Sequence, residues 1–273
     1  MSAAVFRKTL RDATLLLTLL GVGLVLFDIL ATRMLIEAHK ELPLVRLWLE
    51  RPFVKMMMRM ALGADLAGEL TSTSLSTFIL VHPVYFALAW TLLLAIGTGI
   101  LAGEIGRGTA DLLLALPVSR CGVYISTSLV LLLAAAVVSA APLLGLWLGQ
   151  HLWSLQEPLD FERLWRVPVN LLALNLCLAG LSALASACTS RRGKALGVLL
   201  AGILVSDLIN VLAQFWDFVR HFEFLGFLYY YRPLLVVRNA ALPWPEMAIL
   251  LAVGLGAWLV GLWQFARRDI PAV

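Results

Sequence analysis

Asp207, Asn210 and Gln214 stand at i, i+3 and i+7 of the apolar run 195–216, so a helix there carries all three on one face. An acid inside a membrane is costly and marks by default a path for polar cargo. Hydrogen bonding between helices, or nearness to the membrane surface, accounts for the same pattern. Asp28 and His82 also lie in apolar runs, each alone, and Asn170 and Asn175 share a further one. An amide bonded to a neighbouring helix contributes about 0.6 kcal/mol.

A second constellation is GEIGRGTADLLLALPVSR, residues 103–120. Glu104 and Arg107 stand three apart and can pair on one helix face. Gly106 and Gly108 loosen the backbone. Thr109 can cap a short helix whose first turn holds Asp111, where the dipole favours an acid. Leu112, Leu113 and Leu116 form an apolar ridge, and Pro117 closes it. Ser119 can cap the span that begins near Arg120. Such a helix on the rim of a membrane protein suits contact with a soluble partner; a plain loop that snorkels its charges is the competing account.

Other chemistries find little footing. Gly180-Leu181-Ser182-Ala183 is only a faint match to the intramembrane serine-protease pattern G-x-S-G, and neither later span holds a histidine. H-E-x-x-H is absent. A phosphate-binding G-x-x-x-x-G-K-[ST] loop is absent too, since Gly193-Lys194 is followed by Ala195 and preceded by Cys188 where the first glycine belongs. The chain has no nucleotide site of its own and is not expected to be an enzyme. Met56, Met57, Met58 and Met60 could bind Cu(I) through thioethers, but apolar packing accounts for them better. Cys121, Cys177 and Cys188 make no even framework and are read as inert thiols.

The elements that must hold these residues follow from composition. The 273 residues are 61% hydrophobic and 14% charged, with mean hydropathy +0.91. Lipid must solvate much of such a surface. Six runs reach the roughly 20 apolar residues a span needs: 13–36, 78–102, 123–149, 168–189, 195–216 and 247–265. Each must be a helix, because a lone strand cannot satisfy its backbone in lipid. The first run has no small-residue cleavage site, so it is read as a retained span. The net charge of +4 is spread along the loops, with no basic run suited to nucleic acid.

An even number of spans puts both termini on one side. Cations on the two sides balance in number, but those flanking the termini and residues 103–120 and 191–194 are denser and abut helix ends, which favours cytoplasmic termini. Residues 5–13 divide into an apolar face and one with Arg7, Lys8, Arg11 and Asp12, the pattern of a helix lying in the interface. Within the loop 37–77, Arg51, Lys55 and Arg59 recur every four residues. Each would cost about 2.5–3.5 kcal/mol at mid-bilayer, so this stretch is also read as interfacial. Residues 217–245 are aromatic and Arg-rich; they either dip into the membrane or lie flat on it. Small residues at 179, 183 and 187, and the pairs Gly99/Gly103 and Gly145/Gly149, offer faces for close helix approach. Packing within the subunit is the favoured use, with a dimer contact the other.

Residues 103–120 resemble the coupling-helix signature of ABC-2 type permeases, close to G-E-x-x-x-G-T-x-x-x-L-L-x-x-P-V-S-R. Residues 6–12 (FRKTLRD) resemble that family's basic N-terminal interfacial helix. Residues 229–245 resemble its loop before the last span, and 265–270 (FARRDI) its closing element. The resemblance implies an all-α membrane protein in one domain, with six transmembrane helices, an N-terminal interfacial helix and a cytoplasmic coupling helix between spans two and three. It implies a multi-pass protein of the cytoplasmic (inner) membrane, paired with a second permease copy as a homodimer. Separate cytoplasmic ABC ATPase subunits would bind ATP-Mg, and an unidentified substrate would be moved, most simply by export. Glu104, Arg107, Gly108, Thr109, Leu112, Leu113, Leu116, Pro117 and Arg120 would form the ATPase contact. Ile105-Gly106 stands where that family often has further acids, which makes the contact less acidic. The alternative is an ATPase-independent transporter or channel, or a membrane assembly scaffold.

Overall fold

A computed structural model describes residues 2–62, 64, 66, 70–100, 102–103, 118–155 and 157–267. Every regular element among the described residues is helical. They are α1 (Ala3–Lys40), α2 (Leu42–Leu49), α3 (Pro52–Leu62), α4 (Ser72–Leu80), α5 (Pro83–Ile100), α6 (Arg120–Leu152), α7 (Phe161–Leu164), α8 (Arg166–Cys188), α9 (Arg192–Leu212), α10 (Asp217–Arg220), α11 (Pro233–Asn239) and α12 (Trp244–Arg267), with two short 3-10 turns between α10 and α11. Five helical stretches, α1, α6, α7–α8, α9 and α12, are long and apolar enough to cross a bilayer. The pair α4–α5, bent by 43°, makes a sixth if it counts as one span. These are the helices of a multi-pass membrane protein.

Three expected elements differ. Residues 5–13 are not a separate interfacial helix. Ser2 caps α1, which then runs unbroken for 38 residues, about 57 Å. No proline interrupts it before Pro43, so nothing in the backbone separates a surface helix from a span. The second span does not begin at residue 78 as one rod. Pro83 lacks an N–H and disfavours a helical His82 before it, so the chain turns between α4 and α5. The stretch of 37–77 read as interfacial forms two helices, α2 and α3, parted at Pro52.

Helix α8 is the centre of the bundle, packed by α5, α6, α9, α11 and α12. Its small face does the packing within the subunit. Ala179, Ala183, Ala187, Ser182 and Ser186 are all buried. A Cβ added at Gly180 would collide with the carbonyl of Gly254 on α12, and one at Gly254 would come 2.8 Å from the Cα of Cys177. The two backbones therefore touch at this crossing, which only glycine allows. Helix α1 lies against α6 in the same way. A Cβ at Gly145 would sit 2.5 Å from the Cβ of Asp28, and one at Gly149 2.5 Å from Thr32 Oγ1. By contrast α1, α9 and α12 turn broad apolar faces outward, including Leu15, Leu19, Val198, Leu204, Leu255 and Leu259.

Successive spans run antiparallel, so the bundle has two ends. One carries residue 2, Ala102, Ser119 and Thr189, tied by Ser2 N–H to Ser126 Oγ (2.9 Å) and Ala102 N–H to Ser186 Oγ (3.0 Å). The other carries α2, α3, α7 and α11.

Candidate functional site

The proposed partner contact, Glu104, Arg107, Gly108, Thr109, Leu112, Leu113, Leu116 and Pro117, lies outside the described residues. Its flanks are described. Gly103 is buried at the end of the bundle that also holds residue 2 and Thr189. On the other flank Ser119 Oγ accepts from Gly122 N–H at 3.1 Å and caps α6, so Arg120 is the first residue of that helix.

Asp207 and Asn210 lie on α9, whereas Gln214 falls in the turn after the helix ends at Leu212. Asn210 is buried, while Asp207 and Gln214 are half-buried. Ser206 Oγ accepts from Phe227 N–H at 2.7 Å, and Gly226 presses against the Asn210 carboxamide with no room for a Cβ. Asp207 Oδ1 and Asn210 Nδ2 have no hydrogen-bond partner among the described residues. The segment ahead of α11 thus covers Ser206 and Asn210.

A deeper polar network was not legible as a unit in the sequence. Pro142 sits inside α6 and has no N–H, so the carbonyl of Val138, four residues back, loses its helical donor. Tyr85 Oη on α5 donates to that oxygen at 3.1 Å. Asn175 Nδ2 on α8 donates in turn to Tyr85 Oη at 3.0 Å and to Ser139 Oγ at 2.9 Å, and Ser139 Oγ donates to Ala135 O at 2.7 Å. The break at Pro83 receives the same treatment. The Leu80 carbonyl lies where α4 has ended, and Tyr231 Oη donates to it at 3.1 Å. One tyrosine thus serves the carbonyl that Pro142 releases and another a carbonyl left where α4 ends, which lipid could not do. A proline inside an apolar run was the available signal, since it orphans a specific carbonyl.

Removing the Tyr85 hydroxyl tests this. Tyr85→Phe leaves Val138 O without that donor and the Asn175 amide without one acceptor. We expect a loss of about 1–2 kcal/mol, seen as a lower thermal unfolding midpoint of the purified protein. An unchanged midpoint would mean that the network carries no stability.

Asp28 lies beside this network. It is fully buried on α1, and neither carboxyl oxygen has a hydrogen-bond partner among the described residues. Its neighbour Phe27 packs against the His82 ring, centroids 5.1 Å apart, at the α4–α5 turn. The Tyr85 and Tyr231 hydroxyls are within electrostatic reach of it.

At the α11 end, a polar cavity of about 280 Å³ is walled by α4, Glu157, Asp160, Arg163 and α11. Glu157 Oε2 accepts from Ser72 N–H at 3.0 Å at the start of α4 and lies 3.9 Å from His39 Nε2. Thr73 Oγ1 accepts from Asp160 N–H at 2.9 Å. A second groove, about 460 Å³ and almost wholly apolar, opens between α6, α8 and α12 beside Trp258, whose Nε1 donates to Ser128 Oγ at 2.8 Å. Among the described residues no group of three or more His, Cys, Asp or Glu side chains could hold a metal ion.

No protein-family model matches the chain, and no curated protein matches it.

Proposed function

We propose that the chain is the membrane subunit of an ATP-driven transporter, acting as a permease whose motion is imposed by separate ATPase subunits. The observation that carries this reading is the sequence of residues 103–120, with its acid, glycines, leucine ridge and Pro-Val-Ser-Arg close. Two features support it. The helices can cross a membrane five or six times, and this segment joins the bent pair α4–α5 to α6. Six spans with cytoplasmic termini would present it to the cytoplasm, where ATP is. The broad apolar faces of α1, α9 and α12 leave ample surface for lipid and for a second copy of the chain. ATP-Mg would be bound by the partner, since the chain has no phosphate loop.

The mechanism needs a two-state element. ATP closes the ATPase pair, the docked helix follows, and α5 and α6 transmit the displacement. This works only if the docked contacts differ between the states. Mild detergent extraction of the tagged chain, co-expressed with an ATPase encoded beside it, should recover a soluble subunit with a phosphate loop and ATP hydrolysis. Recovery of the folded chain alone, with substrate still moved in liposomes, favours the ATPase-independent reading and sinks this one.

A further inference from the structure

We propose that Asp28, on α1 beside the turn between α4 and α5, binds a monovalent cation, either a proton or an alkali ion. The inference holds whether or not an ATPase drives the protein.

The reasoning is a count of donors and acceptors in a dry site. Asp28 is 0% exposed and brings two oxygens with no hydrogen-bond partner among the described residues. Nearby hydrogens are already committed. Tyr85 Oη donates to Val138 O, Tyr231 Oη to Leu80 O, and Thr32 Oγ1 to the Asp28 carbonyl at 2.7 Å. Asn175 spends its amide hydrogens on Tyr85 and Ser139, and its own Oδ1 also lacks a partner. The site therefore holds acceptors in excess, and an unpaired carboxylate in a membrane span is costly. Positive charge is what such a site lacks. An interrupted span is where a small cation gains most, because the carbonyl-bearing end of a half-helix points at it. Helix α4 ends at Leu80, and Phe27, next to Asp28 on α1, packs on His82 in the break that follows.

The position is also held in place. Gly145 brings α6 against the Asp28 Cβ, and Trp153 Nε1 donates to Ile29 O at 3.1 Å. The carboxyl cannot swing out to lipid without α1 separating from α6. Occupancy would thus tie α1 to the α4–α5 turn. The other titratable groups facing Asp28 are Tyr85 on α5 and Tyr231 ahead of α11, with His82 beside Phe27 at the turn; α6 presents Gly145 there.

The test uses the purified full-length chain in liposomes. Its thermal unfolding midpoint is followed as sodium replaces choline at constant ionic strength, and separately as pH is raised from about 5 to about 8. Asp28→Asn keeps the shape and removes the charge. The wild type should gain about 5–10 °C at sodium 100-fold above Kd if the occupant is an alkali ion, or lose stability with rising pH, sodium-independently, if it is a proton. Asp28→Asn should be flat in the responding series, which separates Asp28 from His82. A wild type flat in both, or a response that Asp28→Asn retains in full, overturns the proposal. Should Asp28→Asn fail to fold, Asp28→Glu replaces it. Moving the carboxyl by one methylene should shift the sodium or proton concentration at half-response by 10-fold or more, and an unshifted response overturns the proposal equally.

Discussion

Leu113→Asp abolishes transport while the protein stays folded in its membrane. The proposed contact rests on Leu112, Leu113 and Leu116 seated in an apolar groove of an ATPase subunit. A carboxylate placed there must be desolvated without a partner, which costs on the order of 2–5 kcal/mol, or roughly 30-fold to several thousand-fold in affinity. The substitution lies outside the apolar spans, so insertion should be unaffected. Transport into vesicles, co-purification of the ATPase and membrane content are the three measurements. Transport and co-purification should fall together while membrane content holds. Glu104→Lys should act the same way by reversing the charge at the contact. Normal transport in both variants would remove the coupling role.

Gly180→Val lowers the unfolding midpoint by more than any surface substitution in the chain. Its new Cβ would meet the Gly254 carbonyl, with the Gly254 carbonyl carbon and Cα close behind. Those are backbone atoms, so no rotamer change relieves the clash and α12 must move off α8. Overpacking of a well-packed site typically costs 1–3 kcal/mol, and a backbone collision belongs at the upper end, about 3 kcal/mol. At about 2–4 °C per kcal/mol the midpoint should fall by roughly 6–12 °C. Gly256→Val on the same helix α12 is the control, because a Cβ there meets nothing within 4 Å. Equal midpoints for the two variants would show that the α8–α12 crossing is not close-packed.

The two expectations differ in how much could be read from residue order. The leucine ridge is a local pattern, visible along one turn of helix. The Gly180–Gly254 contact joins residues 74 apart in number, and nothing local to either announces it. The small residues of α8 indicated close approach to some helix; the choice of α5 and α12 as neighbours over a second subunit came from packing. Asp207 and Asn210 were legible as helical neighbours, but that the helix ends before Gln214 and that Gly226 and Phe227 fold back onto Asn210 and Ser206 were not.

Residue order alone was enough to establish an all-helical chain crossing a membrane several times. Its apolar runs 123–149, 168–189 and 247–265 fall within α6, within a residue or so of α8, and within α12. That is because lipid acts on each segment separately: some 20 apolar residues must satisfy their own backbone wherever they sit. Folding assigned the partners of the polar groups. Tyr85 reaches Val138, 53 residues away, and Tyr231 reaches Leu80, 151 residues away. Asp28 finds itself sealed against Gly145 with its oxygens unserved among the described residues. Hydropathy is a sum over neighbours in the chain, whereas a hydrogen bond in a dry interior needs one particular atom about 3 Å off, and only the assembled helices bring that atom there.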